Sequence, residues 1–224
     1  MGPVTLPLTT TAPTGSLLHR ARPALEAGWR RCVDHRFVRE LFAGVLDDAV
    51  LAGYLVQDHQ FFDGFLRLLG QALASADRLG SRLVLARQLG MLADDENTYF
   101  TDSFRALGVD PVEASAPRLR PSTQAFQQLM SEVVDTRRYP DLLAVLVVME
   151  GVYLDWGSRD DLGEPTRAEH LGWVELHRGP DFTRWCQWLV DELERVCGPD
   201  DHERLTALMQ RTLALEERFF DECW

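Results

Sequence analysis

Between Leu142 and Leu154 the chain reads LLAVLVVMEGVYL, a run whose only charged side chain is Glu150 and whose only other polar side chain is the Tyr153 hydroxyl. A helix with apolar residues on every face has no solvent side, so this run predicts a helix enclosed by others. Enclosure places Glu150 inside the protein. A carboxylate there must be paired and hydrogen-bonded, or its pKa rises until it holds a proton. Two readings follow: a catalytic acid or base, or a structural carboxylate satisfied by an arginine or a backbone N–H.

Helical rather than strand periodicity runs through nearly all of the remaining sequence, with Gly, Pro and Asp as punctuation. The fold class expected is all-α. The spacing predicts helices over 16–33, 36–43, 47–78, 81–107, 121–135, 139–162, 167–176, 180–197 and 200–223. No internal repeat or shift in composition divides them, so residues 16–224 are expected to form one helical domain behind a disordered tail of residues 1–15. That leader lacks a basic start and a long apolar core, so it does not read as a signal peptide. The longest apolar stretch is too short to span a bilayer.

All 23 basic residues are arginine, so no lysine is available for a Schiff base. The net charge of -12, with arginine scattered along the chain, argues against a nucleic-acid or anionic-membrane surface. Cys32, Cys186, Cys197 and Cys223 are far apart and form no Cys-x-x-Cys pair, which suggests free thiols in a reducing compartment. The expected location is cytoplasmic.

Two more acids sit among aromatic residues at helical spacing. Tyr54, Asp58, Phe61, Phe62 and Phe65 are related by steps of three, four or seven and so share a helix face. Asp58 is either a functional carboxylate on that face or the cap of a break in the helix. In the last helix, Glu216 flanks the stripe of Leu208, Leu215, Phe219, Phe220 and Cys223; such a residue can equally be the stripe's solvated border. If Asp58, Glu150 and Glu216 converge on one aromatic-lined pocket, they cannot all ionise, and acid and base coexist. That arrangement suits hydrolysis at a flat heteroaromatic amine. One carboxylate binds the amidine-like edge, another activates water and a third protonates the leaving group.

The segment from His35 to Leu41, then Gly44-Val45-Leu46 and Gly53-Tyr54-Leu55-Val56-Gln57-Asp58-His59-Gln60-Phe61-Phe62, resembles the opening signature of the TenA/THI-4 family. Further matches are the run Met149 to Trp156, Asp181-Phe182-Thr183-Arg184-Trp185 and Glu216-Glu217-Arg218-Phe219-Phe220. The resemblance implies a heme-oxygenase-like helical bundle and an aminopyrimidine hydrolase, or thiaminase II, of thiamin salvage, working without a cofactor as a dimer or tetramer. It implies that Asp58 holds the pyrimidine edge, that Tyr153 is a pocket tyrosine and that Glu216 protonates the heterocycle. One branch of the family has a nucleophilic cysteine in the helix that here carries Met149-Glu150. None of the four cysteines falls there, and Glu150 matches a second branch, for which the implied substrates are amino- or formylamino-methylpyrimidines rather than intact thiamin. Phe61, the segment near Gln124 and Phe126, and His177 stand where the cysteine branch has pocket tyrosines. The expected catalytic residues are Glu150 as base, Glu216 as proton donor and Asp58; Asp58, Tyr54, Phe61, Tyr153 and His177 are expected to bind substrate.

The same fold class also hosts heme and di-iron enzymes, so a metal oxidase is the main rival and a non-catalytic pyrimidine-binding homologue the second. A di-iron site needs His and carboxylate ligands at helical spacing on facing helices. The segment Asp94-Asp95-Glu96-Asn97-Thr98-Tyr99 supplies acids without a nearby His, and His19, His35, His59 and His202 read as caps or surface residues. No metal site is expected; His59 would be the first ligand to suspect.

Overall fold

The computed structural model describes residues 13–93 and 97–223, with helices throughout and no strand among them. Twelve α-helices and one 3-10 turn follow in order: α1 Leu17–Val33, α2 Arg36–Ala43, α3 Asp48–His59, α4 Phe62–Ser75, α5 Leu79–Met91, α6 Asn97–Ala106, α7 Pro111–Ser115, α8 Pro121–Thr136, α9 Tyr139–Gly157, α10 Ala168–Leu176, α11 Pro180–Val196, the turn Pro199–Asp201, and α12 His202–Glu222. The expected tail falls largely on residues 1–12, outside the described residues. None of the described helices is long and apolar enough to cross a membrane.

The apolar run forms the centre of the bundle. α9 buries nearly every side chain and packs against α1, α4, α8, α11 and α12. Its burial is carried by side chains such as Leu142, Leu146 and Trp156, and removing a large apolar side chain from such a position costs on the order of 2–5 kcal/mol. Around it, α12 lies along α1, and Gly28 makes their close approach possible: a Cβ there would stand 3.0 Å from Leu213 Cδ2. The first turn of α1 is closed from outside, because Glu194 on α11 accepts from the Leu17 and Leu18 amides at 2.9 and 2.8 Å. A carboxylate at that end satisfies two orphan donors and complements the helix dipole.

Three expected helices are corrected, and one short helix is added. The helix expected over 47–78 breaks at Gln60 and Phe61, whose amides turn back to the carbonyls of Gln57 and Asp58, three residues earlier. Side chains hold the break. Gln57 accepts from the Arg120 amide (2.9 Å) and Thr123 Oγ1 (2.7 Å), while the Gln60 carbonyl accepts from Gln127 (2.9 Å). The helix expected over 81–107 is two: α5 starts at Leu79 and stops at Met91, and α6 begins at Asn97, with residues 94–96 outside the description. The helix expected over 139–162 stops at Gly157, where a Cβ would come within 2.6 Å of the His177 carbonyl oxygen. Finally, Asp110 caps the short α7 by accepting from the Val112 amide at 2.7 Å.

Candidate active site

Between α9 and the helices around it lies a cavity of about 330 Å³, open to solvent beside the exposed Met91. Asp58, Glu150 and Glu216 all line it, from α3, α9 and α12. Its walls are aromatic. Phe61 packs on Phe126 and Phe219 with ring centroids 5.2 and 4.8 Å apart, and Tyr153 meets His177 at 4.7 Å.

The break after α3 explains how Asp58 and Phe61 reach the cavity together. A continuous helix would carry the chain straight on; the turn held by Gln57 and Gln60 redirects it. Asp58 is not the cap of α4. That position belongs to Phe61, with no side-chain cap. Glu216 is no solvated border either, being 3% exposed. Burial raises its carboxyl well above the usual range, and the nearby Asp58 and Glu150 raise it further. The electrostatics are therefore those of three acids sharing one site, in which burial and the neighbouring acids favour the protonated form of Glu216.

Another buried acid shows the contrast. Glu192 is 1% exposed, and burial pushes it up, but hydrogen bonds from Arg195, Ser81 and Tyr139 outweigh that and hold it at about 2. Glu192 is a carboxylate satisfied in the structural way; Glu216 keeps the company of other acids.

Of the residues expected to bind substrate, Asp58, Phe61, Tyr153 and His177 line the cavity. Tyr54 does not. It is wholly buried behind Tyr153, its hydroxyl 2.6 Å from the Tyr153 hydroxyl and its ring packed on Phe37 and Phe219. Tyr54 thus orients the pocket tyrosine rather than touching a ligand. Burial raises both hydroxyls well above the ordinary tyrosine value, so the pair stays neutral.

Sequence reasoning missed Trp173, whose ring lies between Tyr99, Tyr153 and His177, and gave no role to Phe182 and Trp185, although both belong to a quoted motif. Their aromatic character was the available signal. Gln88, Met91 and Leu92 of the α5 end, and Glu175 and Arg178 beside His177, complete the opening and carry no distinguishing pattern.

None of the four cysteines lines the cavity. Cys186 donates from Sγ to the Glu150 carbonyl at 3.6 Å, and burial followed by the Glu150 charge pushes its thiol well up. A thiol in that state is a poor nucleophile. His59 lies against Phe100 and Phe104 rather than in the cavity, and burial lowers its pKa. His35 caps α2, accepting from the Phe37 amide, and His19 accepts from the Gly15 amide. Among the described residues no group of three or more His, Cys, Asp and Glu side chains is placed to hold a metal ion. The acids at 94–96 fall outside the description.

Comparison with solved structures places the architecture among known folds. A TenA family transcription regulator from Silicibacter sp. TM1040 superposes with a TM-score of 0.82 at 24% identity, over 94% of this chain and 97% of the other. A putative TenA-like thiaminase from Sulfolobus solfataricus P2 superposes with a TM-score of 0.77 at 14% identity, over 92% and 94%. A domain of unknown function with a heme oxygenase-like fold, from Shewanella denitrificans OS217, gives 0.68 at 15% identity, over 92% and 91%. These likenesses establish the all-α, heme-oxygenase-like fold. None of the curated proteins matches by sequence. The model of the TENA/THI-4/PQQC family matches residues 22–224, and the chain belongs to that family.

Proposed function

We propose that this protein hydrolyses aminopyrimidines of the amino- or formylamino-methylpyrimidine type, breakdown products of thiamin, in a salvage role. The observation that carries the reading is the meeting of Asp58, Glu150 and Glu216 at one aromatic-walled cavity, with the Glu216 carboxyl raised by burial and further by the other two. A planar, electron-poor ring is held between aromatic faces, and its amidine-like edge pairs with a carboxylate. The thiaminase description of one structural neighbour is in keeping with this chemistry.

In the scheme, Asp58 holds the pyrimidine edge and Glu216 donates its proton to the heterocycle. Glu150 takes a proton from water as the water oxygen bonds to the exocyclic methylene carbon. The carbon–nitrogen bond breaks, the proton that Glu150 took from water passes to the departing nitrogen, which leaves as ammonia, and the heterocycle returns its proton to Glu216. Aminomethylpyrimidine and water thus become hydroxymethylpyrimidine and ammonia, with no oxidant or reductant. Water is assigned the attack because no cysteine lines the cavity and Cys186, which donates to the Glu150 carbonyl, is held protonated by burial. We assign the chain to the cytoplasm as a dimer or tetramer on the same reading.

One structural neighbour is described as a transcription regulator. For this chain the net charge of -12 disfavours a nucleic-acid surface, and the buried acids favour small-molecule chemistry. The test is formation of hydroxymethylpyrimidine from aminomethylpyrimidine, its formyl derivative and thiamin. Turnover of the first two above thiamin is expected. Binding without turnover would favour the non-catalytic homologue, and stoichiometric iron in protein purified with added iron would sink the hydrolase.

A further inference from the structure

Arg178, in the link between α10 and α11, stands between two hollows. One is the cavity. The other is a recess open to solvent, formed by the chain from Gly157 to Glu164 together with Gly179. Among the described residues, Arg178 is the one that lines both. Its guanidinium is tied to a carboxylate in each: Nε donates to Glu175 of the cavity at 3.0 Å, and Nη2 donates to Glu164 of the recess at 2.7 Å. At this point the wall between cavity and recess is a single side chain.

The surroundings are fixed without it. Arg159 anchors the start of the α9–α10 link to Asp34 at 2.7 Å, and Arg167 pairs with Asp48 at its end. The backbone beside Arg178 is pinned as well, because the His177 carbonyl rests against Gly157, where a Cβ would come within 2.6 Å of it. Movement of Arg178 therefore asks nothing of the bundle. What holds the side chain is weak: Glu164 is 64% exposed and Glu175 55%, and ion pairs so open to water contribute little and are screened by salt. A side chain released from such pairs changes rotamer quickly compared with any motion of a helix.

We infer that Arg178 is a gate at the cavity mouth, latched by Glu164. Latched, it walls off the recess. Released from Glu164, it folds back on Glu175 and joins the recess to the cavity, widening the passage by which small molecules enter and leave. The gate governs passage and is independent of the bond broken inside.

Acrylamide, a neutral quencher, tests passage without a ligand, because Trp173 and Trp185 line the cavity. Their share of the fluorescence is the difference between each protein and its Trp173→Phe/Trp185→Phe counterpart. Glu164→Ala removes the latch at an exposed position and should raise the quenching constant of that share by about two- to fivefold, the scale of one exposed ion pair. Salt at about 0.5 M should do the same to wild type and leave the variant unchanged. Stopped-flow binding of 4-amino-5-aminomethyl-2-methylpyrimidine should show association and dissociation both faster in Glu164→Ala, with Kd unchanged. If Glu164 merely attracted the cationic ligand, association would instead slow in the variant and in salt. Equal quenching in wild type and variant, or slower association in the variant, overturns the gate. Failure of wild type to bind the pyrimidine, with the quenching increment present, overturns the hydrolase reading and upholds the gate.

Discussion

Asp155 is a buried acid that the proposed chemistry does not use, and its replacement by asparagine tests the electrostatic reasoning quantitatively. It lies on α9, 7% exposed, and accepts from Trp29 Nε1 at 2.7 Å. Burial pushes its pKa from 3.8 to about 6, against the opposing pull of the Trp29 hydrogen bond and of Arg159, while Asp34 adds to the rise. Arg159 is itself engaged by Asp34 and Asp161 at 2.7 and 2.6 Å. A carboxyl raised on folding subtracts stability once it ionises. The loss is absent below 3.8, grows between 3.8 and about 6, and is complete above that; the shift corresponds to about 3 kcal/mol at most. In Asp155→Asn the amide oxygen would still accept from Trp29, and the side chain would carry no charge. Denaturant unfolding of wild type and Asp155→Asn at intervals from pH 4 to 8 should show the variant's advantage growing up to pH 6.5 and then levelling. For a chain of this size the gain at pH 7.5 corresponds to roughly 6–12 °C in Tm. A stability difference that does not change with pH, or an advantage that shrinks as pH rises, would refute the reasoning.

Other outcomes follow from the same geometry. Glu192, held at about 2 by Arg195, Ser81 and Tyr139 despite its burial, contributes about 3 kcal/mol that is present above 4.5 and lost as pH falls towards 2; Glu192→Gln should flatten that limb of the acid-unfolding curve and lower stability at pH 7 by a similar amount. Cys186→Ala should keep ammonia release within about twofold, since water is assigned the attack; loss of turnover in a variant with a wild-type melting curve would restore a thiolate mechanism.

The centre of the fold was legible because α9 is apolar on every face, and only a surrounded helix satisfies that pattern. Glu150 could be singled out for the same reason. The break that aims Asp58 was hidden, because helical spacing of the apolar residues resumes at Phe61, Phe62 and Phe65 after the interruption at Gln57 and Asp58. What makes the break is a set of hydrogen bonds from Gln57 and Gln60 to the segment around α8, sixty or more residues along the chain. Glu216 was ambiguous for a related reason. Its own helix places it at the edge of a stripe, and its burial is decided by the helices packed against α12, namely α1, α8 and α9. Tyr54 was misplaced because helical spacing reports a shared face but cannot rank distance from the cavity; the hydroxyl contact to Tyr153 sets that order. The orientation of His177 depends on Trp173 and Gly157 meeting it in space, which no local pattern encodes.

The central claim is that Glu150 activates water at a pyrimidine held by Asp58 and Glu216. Its most direct test is ammonia release from aminomethylpyrimidine by wild type and Glu150→Gln, with binding of the pyrimidine measured in parallel. The account predicts turnover reduced by about 100-fold or more in the variant, the usual scale for losing a general base, with affinity and melting temperature close to wild type. Ammonia release at the wild-type rate from Glu150→Gln would contradict it.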